Sequence, residues 1–138
     1  MKKLLLILFT FTLTFSCLFF GGCKSNLSGE YHLTSVKYYD DSTHSTVTVE
    51  VGDEYFGMKL TKDTYILIVE DGEAFLRFQD EEEDGTIDDV EVYRFQWSKG
   101  YDNEYYAYSE EDEWTYVVKK EKKQIIFDWD GTLLTFKK

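Results

Sequence analysis

The run Val90-Glu91-Val92-Tyr93-Arg94-Phe95-Gln96-Trp97-Ser98 decides the fold class. Tyr93, Phe95 and Trp97 share one parity, and Arg94, Gln96 and Ser98 share the other. A period of two puts large rings on one face of an extended chain and polar groups on the opposite face. The same alternation recurs on both sides of this run. It predicts strands at Glu30–Tyr39, Ser45–Val51, Met58–Thr61, Tyr65–Glu70, Glu73–Gln79, Val90–Ser98, Glu104–Ser109, Trp114–Lys119, Gln124–Trp129 and Thr132–Lys137. Asp71-Gly72 and Asp130-Gly131 read as two-residue hairpin turns, in which glycine supplies the positive φ. Lys99–Asn103, Glu110–Glu113 and Lys120–Lys122 are polar breaks of hairpin length, and Gly52–Gly57 alone suggests a short helical turn. About ten short strands in one small chain predict an all-β fold, a single antiparallel meander barrel whose closure removes exposed edges.

The composition agrees. A chain of 138 residues holds one core rather than two. Hydrophobic residues make up 43% and aromatics 18%, enough apolar surface to fold in spite of the charge. With 27 acidic against 15 basic side chains the net charge is −12, which excludes nucleic acid as a partner because phosphates need Lys and Arg.

The N-terminus reads as an address. Met1–Lys3 are basic, and Leu4–Phe20 are almost wholly apolar, as in a secretory signal peptide. The stretch ends Phe20-Gly21-Gly22-Cys23, followed by polar Lys24-Ser25-Asn26. Two small residues ahead of a cysteine resemble the lipobox of bacterial lipoproteins. The resemblance implies cleavage after residue 22 and diacylglyceryl modification of Cys23, and hence a lipid anchor in the bacterial cell membrane with the domain on its extracytoplasmic side. Residues 1–22 are then the signal peptide, 23–28 a lipidated spacer and 29–138 the barrel. Loss of Lys2 and Lys3 takes the net charge to about −14, so anionic headgroups are expected to repel the domain as a whole. Cys17 is discarded and Cys23 acylated, which leaves no thiol for catalysis.

The domain's two ends carry a second resemblance. Leu27-Ser28-Gly29-Glu30-Tyr31-His32-Leu33-Thr34-Ser35-Val36 looks like the opening of lipocalin-like (calycin-type) domains in small bacterial lipoproteins. Asp130-Gly131-Thr132-Leu133-Leu134-Thr135-Phe136-Lys137-Lys138 looks like their close, and Tyr93–Trp97 like their central aromatic strand. The resemblance implies a meander barrel without catalytic residues, and it supplies no ligand.

Three stretches suggest sites. Ile125-Ile126-Phe127-Asp128-Trp129-Asp130-Gly131-Thr132-Leu133 matches, as a string, the nucleophile motif of haloacid dehalogenase-like phosphatases. That chemistry needs a parallel α/β sheet around the two aspartates, and a strand–turn–strand hairpin explains the same letters. Asp80–Glu91 fits the spacing of an EF-hand loop. Asp80, Glu82, Asp84, Thr86, Asp88 and Glu91 stand at the ligand positions, with Gly85 at the turn and Ile87 at the apolar position. The flanks read as strands, and an acidic hairpin loop in an acidic protein is the competing reading.

The third is the aromatic set, which also takes in Tyr116, Phe127 and Trp129. Tyr93, Phe95, Trp97, Tyr105, Tyr106, Tyr108 and Trp114 are candidates for a ligand or partner surface, and a barrel core filled by rings is the alternative. His32 and His44 lack zinc-site spacing. These readings converge on a non-catalytic binding module with no required cofactor. Its ligand is a small apolar molecule in the barrel mouth or a protein partner, and the alternative function is Ca²⁺ binding through loop 80–91.

Overall fold

In the computed structural model, residues 27–82 and 84–138 are described; the expected signal peptide and Cys23 lie outside them. Eleven strands and no helix occur among these residues: β1 Gly29–Asp40, β2 Ser45–Glu50, β3 Glu54–Tyr55, β4 Met58–Lys59, β5 Tyr65–Glu70, β6 Glu73–Glu81, β7 Ile87–Lys99, β8 Glu104–Ser109, β9 Trp114–Glu121, β10 Gln124–Trp129 and β11 Thr132–Lys137. Strands β5 to β11 form a continuous antiparallel meander, and β1 pairs with both of its ends. The result is a closed eight-stranded barrel, as the alternating pattern predicts. Gly52–Gly57 is not helical; it belongs to the small β3–β4 hairpin, with Tyr55 opposite Met58.

Closure depends on how β1 divides its hydrogen bonds. One edge pairs with β11 from His32 to Lys37. The other edge pairs with β5 over Gly29–His32, then with β2 over Ser35–Asp40. The change of partner coincides with a β-bulge, since Leu33 faces Phe136 and Ser35 faces Thr135, leaving Thr34 unmatched. The Thr34 hydroxyl donates to the Thr135 carbonyl at 3.1 Å, and the Thr34 carbonyl accepts the Val51 N–H. The bulge also reverses parity along the strand, for Tyr31 and Leu33 are buried before it and Val36 after it. In the gap between β1 and β5, the Leu33 N–H donates to the Lys62 carbonyl, and Leu60 is wholly buried.

Side chains fill the interior. Leu33, Leu67, Leu76, Phe95, Val118, Ile125, Phe127, Leu134 and Phe136 are buried in one cluster. Each is the inward member of an alternating pair, so the hydrophobic gain of the barrel comes from one parity of every strand. Leu27 belongs to the same cluster. It packs there just ahead of β1, and the Tyr31 hydroxyl fixes that entry by donating to the Leu27 carbonyl at 2.8 Å.

The meander gives the barrel two ends. The base carries the chain entry at Leu27, the β5–β6, β7–β8 and β9–β10 turns, and Lys138. The mouth carries the β6–β7, β8–β9 and β10–β11 turns. At the β10–β11 turn Asp130 and Gly131 both take positive φ, 50° and 88°, matching a type I′ hairpin. Strand β7 pairs with β8 only through Gln96–Lys99. Its first half thus stands above the rim as a two-stranded ribbon with β6, with no strand against its other edge among the described residues.

Phe127 has no exposed surface and touches the rings of Phe95 and Trp129. Phe127→Ala is expected to lose about 3–5 kcal/mol of stability, read as a lower urea midpoint at unchanged slope.

Candidate functional site

The rings expected to form one surface are divided among three places. Phe95 lies in the core. Trp97 and Tyr105 are buried and stacked, with centroids 5.4 Å apart. Tyr106 is half-buried on the outer wall, its ring lying where a side chain on Gly100 would stand. Tyr108 and Trp114 are exposed, Trp114 at 62%. Of these seven, Tyr93 alone faces the mouth, and there it meets Tyr116 and Trp129, which the alternation of their own strands also marks. Its ring lies 4.9 Å from Trp129, and Trp129 stacks on Tyr116 at 4.9 Å with planes 7° apart. Phe95 and Phe127 form the floor beneath Trp129, at 5.8 and 5.7 Å.

The ring of aromatics continues round the mouth. Tyr65 packs on Phe78 at 5.0 Å, and Tyr38, Tyr55 and Phe56 form a contiguous group. Tyr38, Tyr55, Tyr65, Tyr93, Tyr116 and Trp129 are all partly buried against the core. They sit near the mouth-side ends of their strands, where the inward parity runs out of core to cover. That position is the sequence signal for them, and it is readable only once the turns are assigned to ends.

Carboxylates surround these rings. The Tyr93 hydroxyl donates to Glu91, and the Tyr116 hydroxyl donates to Asp112 at 3.1 Å. The bond to Glu91, followed by burial and by the charges of Glu91, Asp112 and Glu111, pushes the Tyr93 phenol up to about 12. Burial, then Tyr55, Tyr93 and Glu91, pushes Tyr65 up to about 12 as well. Burial first, then Asp112, raises Tyr116. All three phenols therefore remain neutral at physiological pH, able to donate hydrogen bonds and to present π faces. Beside them an acidic groove of about 1270 Å³ runs between the β3–β4 hairpin and the β6–β7 tip. Glu54, Phe56, Met58, Asp80, Glu82 and Asp84 are among its walls, and Phe56 is 76% exposed.

The EF-hand-like stretch is the tip of the β6–β7 ribbon, flanked by strands. Asp80 lies opposite Asp89, and Glu81 opposite Ile87 across a bulge. Asp84 accepts the Thr86 N–H at 2.8 Å, and its hydrogen bonding with the Thr86 side chain first, then with that N–H, holds its carboxyl below the ordinary range. Glu82 is raised by its hydrogen bond with Asp88 and by that group's charge. Glu91 is turned to Tyr93. Among the described residues no group of three or more His, Cys, Asp or Glu converges to hold a metal.

The phosphatase-like string folds as the β10–β11 hairpin, where Asp128 accepts the Gly131 N–H at 3.0 Å. His32 lies between Asp63 and Glu30, at 3.0 and 3.4 Å, and His44 occupies the β1–β2 turn with φ of 51°.

Fold and site together define a closed, eight-stranded antiparallel barrel with a filled interior and an acidic, aromatic mouth. No family model, curated protein or solved structure matches the chain.

The Tyr65 phenol ionises near 10 in the unfolded chain and near about 12 in the barrel. The stability it contributes is full below pH 10 and is lost as pH rises through about 12. Denaturation midpoints measured across that window should fall less steeply in Tyr65→Phe. An absorbance titration of the variant should lose one late-ionising phenol.

Proposed function

We propose that this chain is a non-catalytic, lipocalin-like binding module of a bacterial lipoprotein, anchored through Cys23 on the extracytoplasmic side of the membrane, and that it takes its ligand at the barrel mouth. The observation that carries this reading is the partly buried ring of Tyr93, Tyr116 and Trp129 above a floor of Phe95 and Phe127. A core filled with side chains leaves the mouth, rather than the interior, as the place for an apolar group. Carboxylates at Glu91 and Asp112 border the π faces, and a positive charge on the ligand would satisfy both the acids and the rings. An apolar, planar cation fits this chemistry better than a neutral or anionic molecule of equal size. The probe is N-methylacridinium, compared with neutral acridine and an acridine carboxylate by quenching of tryptophan fluorescence. The cation is expected to bind saturably and most tightly, and Trp129→Leu to weaken it at least about tenfold, near 1.4 kcal/mol. Equal quenching by all three probes, or quenching untouched by Trp129→Leu, would overturn the reading.

A second reading, Ca²⁺ binding at Asp80–Glu91, is favoured by the like charges of Glu82 and Asp88, whose contact a divalent ion would relieve. It expects a Ca²⁺-dependent rise in Tm that disappears in the Asp84→Asn, Glu91→Gln double variant. A rise of equal size in that variant would place any Ca²⁺ elsewhere.

A further inference from the structure

The base of the barrel has a charge character that the overall balance conceals. A cleft of about 390 Å³ opens there, with Leu27, Tyr31 and Ile125 as apolar lining and five lysines around them: Lys120, Lys122, Lys123, Lys137 and Lys138. Gln124 completes the lining, so every charged group in it is positive. Among the described residues none of these lysines forms a salt bridge. Lys138 is held in place, since its Nζ donates to the Ser28 carbonyl at 3.0 Å and lies 5.8 Å over the Tyr31 ring. Its side chain crosses Gly29, where a Cβ would meet it at 2.6 Å. The C-terminus is thereby fastened to the chain entry, and the lysines and Leu27 share one face. Lys122, Lys123 and Lys137 are exposed.

The acids lie mainly elsewhere. The mouth turns hold Asp80, Glu81, Glu82 and Asp84, Glu110–Glu113 and the Asp128/Asp130 pair. From Lys123 to Asp130 the β10 strand climbs roughly 20 Å, at about 3.3 Å per residue. That exceeds two Debye lengths of about 8 Å at physiological ionic strength, so a surface touching the base is screened from the mouth. The base itself is mixed, with Glu30 beside the chain entry, Glu70, Asp71 and Glu73 around the β5–β6 turn, Asp102 and Glu104 around the β7–β8 turn and Glu121 beside the β9–β10 turn. The lysines therefore define an arc over the end of β9, the β9–β10 turn and the end of β11, not a whole end.

We infer that this arc docks on an anionic phospholipid surface, seating the barrel base-down and tilted, with the acidic aromatic mouth turned away from the membrane. Charge complementarity supports this occupant, and so does position. Leu27 stands four residues after Cys23, and four residues reach at most about 14 Å in any conformation. The inference rests on the proposed acyl anchor for that proximity. An anchor on Cys23 brings the lysine arc, with Lys24 added from the tether, within reach of headgroup phosphates. Each lysine near such a surface strengthens attachment about fivefold. The net negative charge predicts repulsion only for a molecule whose charges are evenly spread.

The test uses the full chain as a bacterium produces it, reconstituted into vesicles of phosphatidylcholine alone or with phosphatidylglycerol as about a third of the lipid. A membrane-impermeant amine reagent labels the lysines, and mass spectrometry reads each site. Lys122, Lys123 and Lys137 should react at least about fivefold more slowly on the phosphatidylglycerol vesicles, and recover in high salt. Lys37 and Lys59, exposed and distant from the base, should react alike on both. Equal labelling of the base lysines on both vesicles overturns the proposal. So does equal protection by inorganic phosphate in solution, which would mean a site for free anions. In Lys122→Glu with Lys123→Glu, Lys137 should lose its protection, and persistence there also overturns it. Flotation separates the two readings. A chain that leaves phosphatidylcholine vesicles, or floats equally well as Cys23→Ser, defeats the anchor, and labelling on phosphatidylglycerol still decides the docking.

Discussion

Strand β1 is asked to satisfy more partners than an ordinary barrel strand, and the architecture follows from how it does so. Its backbone groups serve β11 on one edge and, in turn, β5 and β2 on the other. Without the first pairing the meander has two open ends; without the switch from β5 to β2 the upper half of β1 has an unpaired edge. Thr34 is the pivot. The extra residue turns the strand, and its hydroxyl and carbonyl are both used locally. Leu60 and the Lys62 carbonyl fill the gap that the switch opens. Closure is thus a matter of hydrogen-bond satisfaction around one bulge, with the apolar core supplying the drive.

A filled core has consequences for where chemistry can occur. Eight strands enclose little more than side chains need, and here Phe95, Phe127 and Phe136 take up the space. Rings too near the end to be covered become the mouth, half-buried and bordered by acids that accept hydrogen bonds from the Tyr93 and Tyr116 phenols. The same tapering at the base is handled differently. There Leu27 and the clamp of Lys138 on Ser28 and Tyr31 close the end with the segments that enter β1 and leave β11.

Much of the fold is legible in the alternation. Tyr93–Trp97 and Ile125–Trp129 announce their inward faces, and Asp130-Gly131 its turn. The β1 bulge is not legible, because Tyr31, Leu33, Ser35, Lys37 and Tyr39 form an unbroken parity in the sequence while the buried set changes from odd to even at Thr34. The extent of β7 also escapes a reading by hydrophobicity. Ile87 and Asp88 are exposed, and pairing with β6 rather than burial carries the ribbon beyond the core. For the site, Tyr93, Tyr116 and Trp129 are recoverable as aromatic positions, but their meeting at one end of the barrel is not. Trp97 and Tyr105 look equivalent to Tyr93 along the chain but stand at other heights in the barrel. Height depends on register between strands, and a single strand's pattern does not encode that.

The free edge of β7 above the rim bears on how copies of this protein behave beside one another. An extended strand with unpaired N–H and C=O groups, and with Val90 and Val92 exposed, is the kind of edge along which identical chains zip together. In this ribbon Asp88 and Glu91 are interleaved with the valines, and the tip adds Asp80, Glu82 and Asp84. Pairing two such edges tip to tip would bring carboxylates close to carboxylates. The acids work as gatekeepers, and the chain has no proline to do that work instead. Acidification would weaken this guard, making low pH the condition under which crowded copies begin to self-associate through their ribbons.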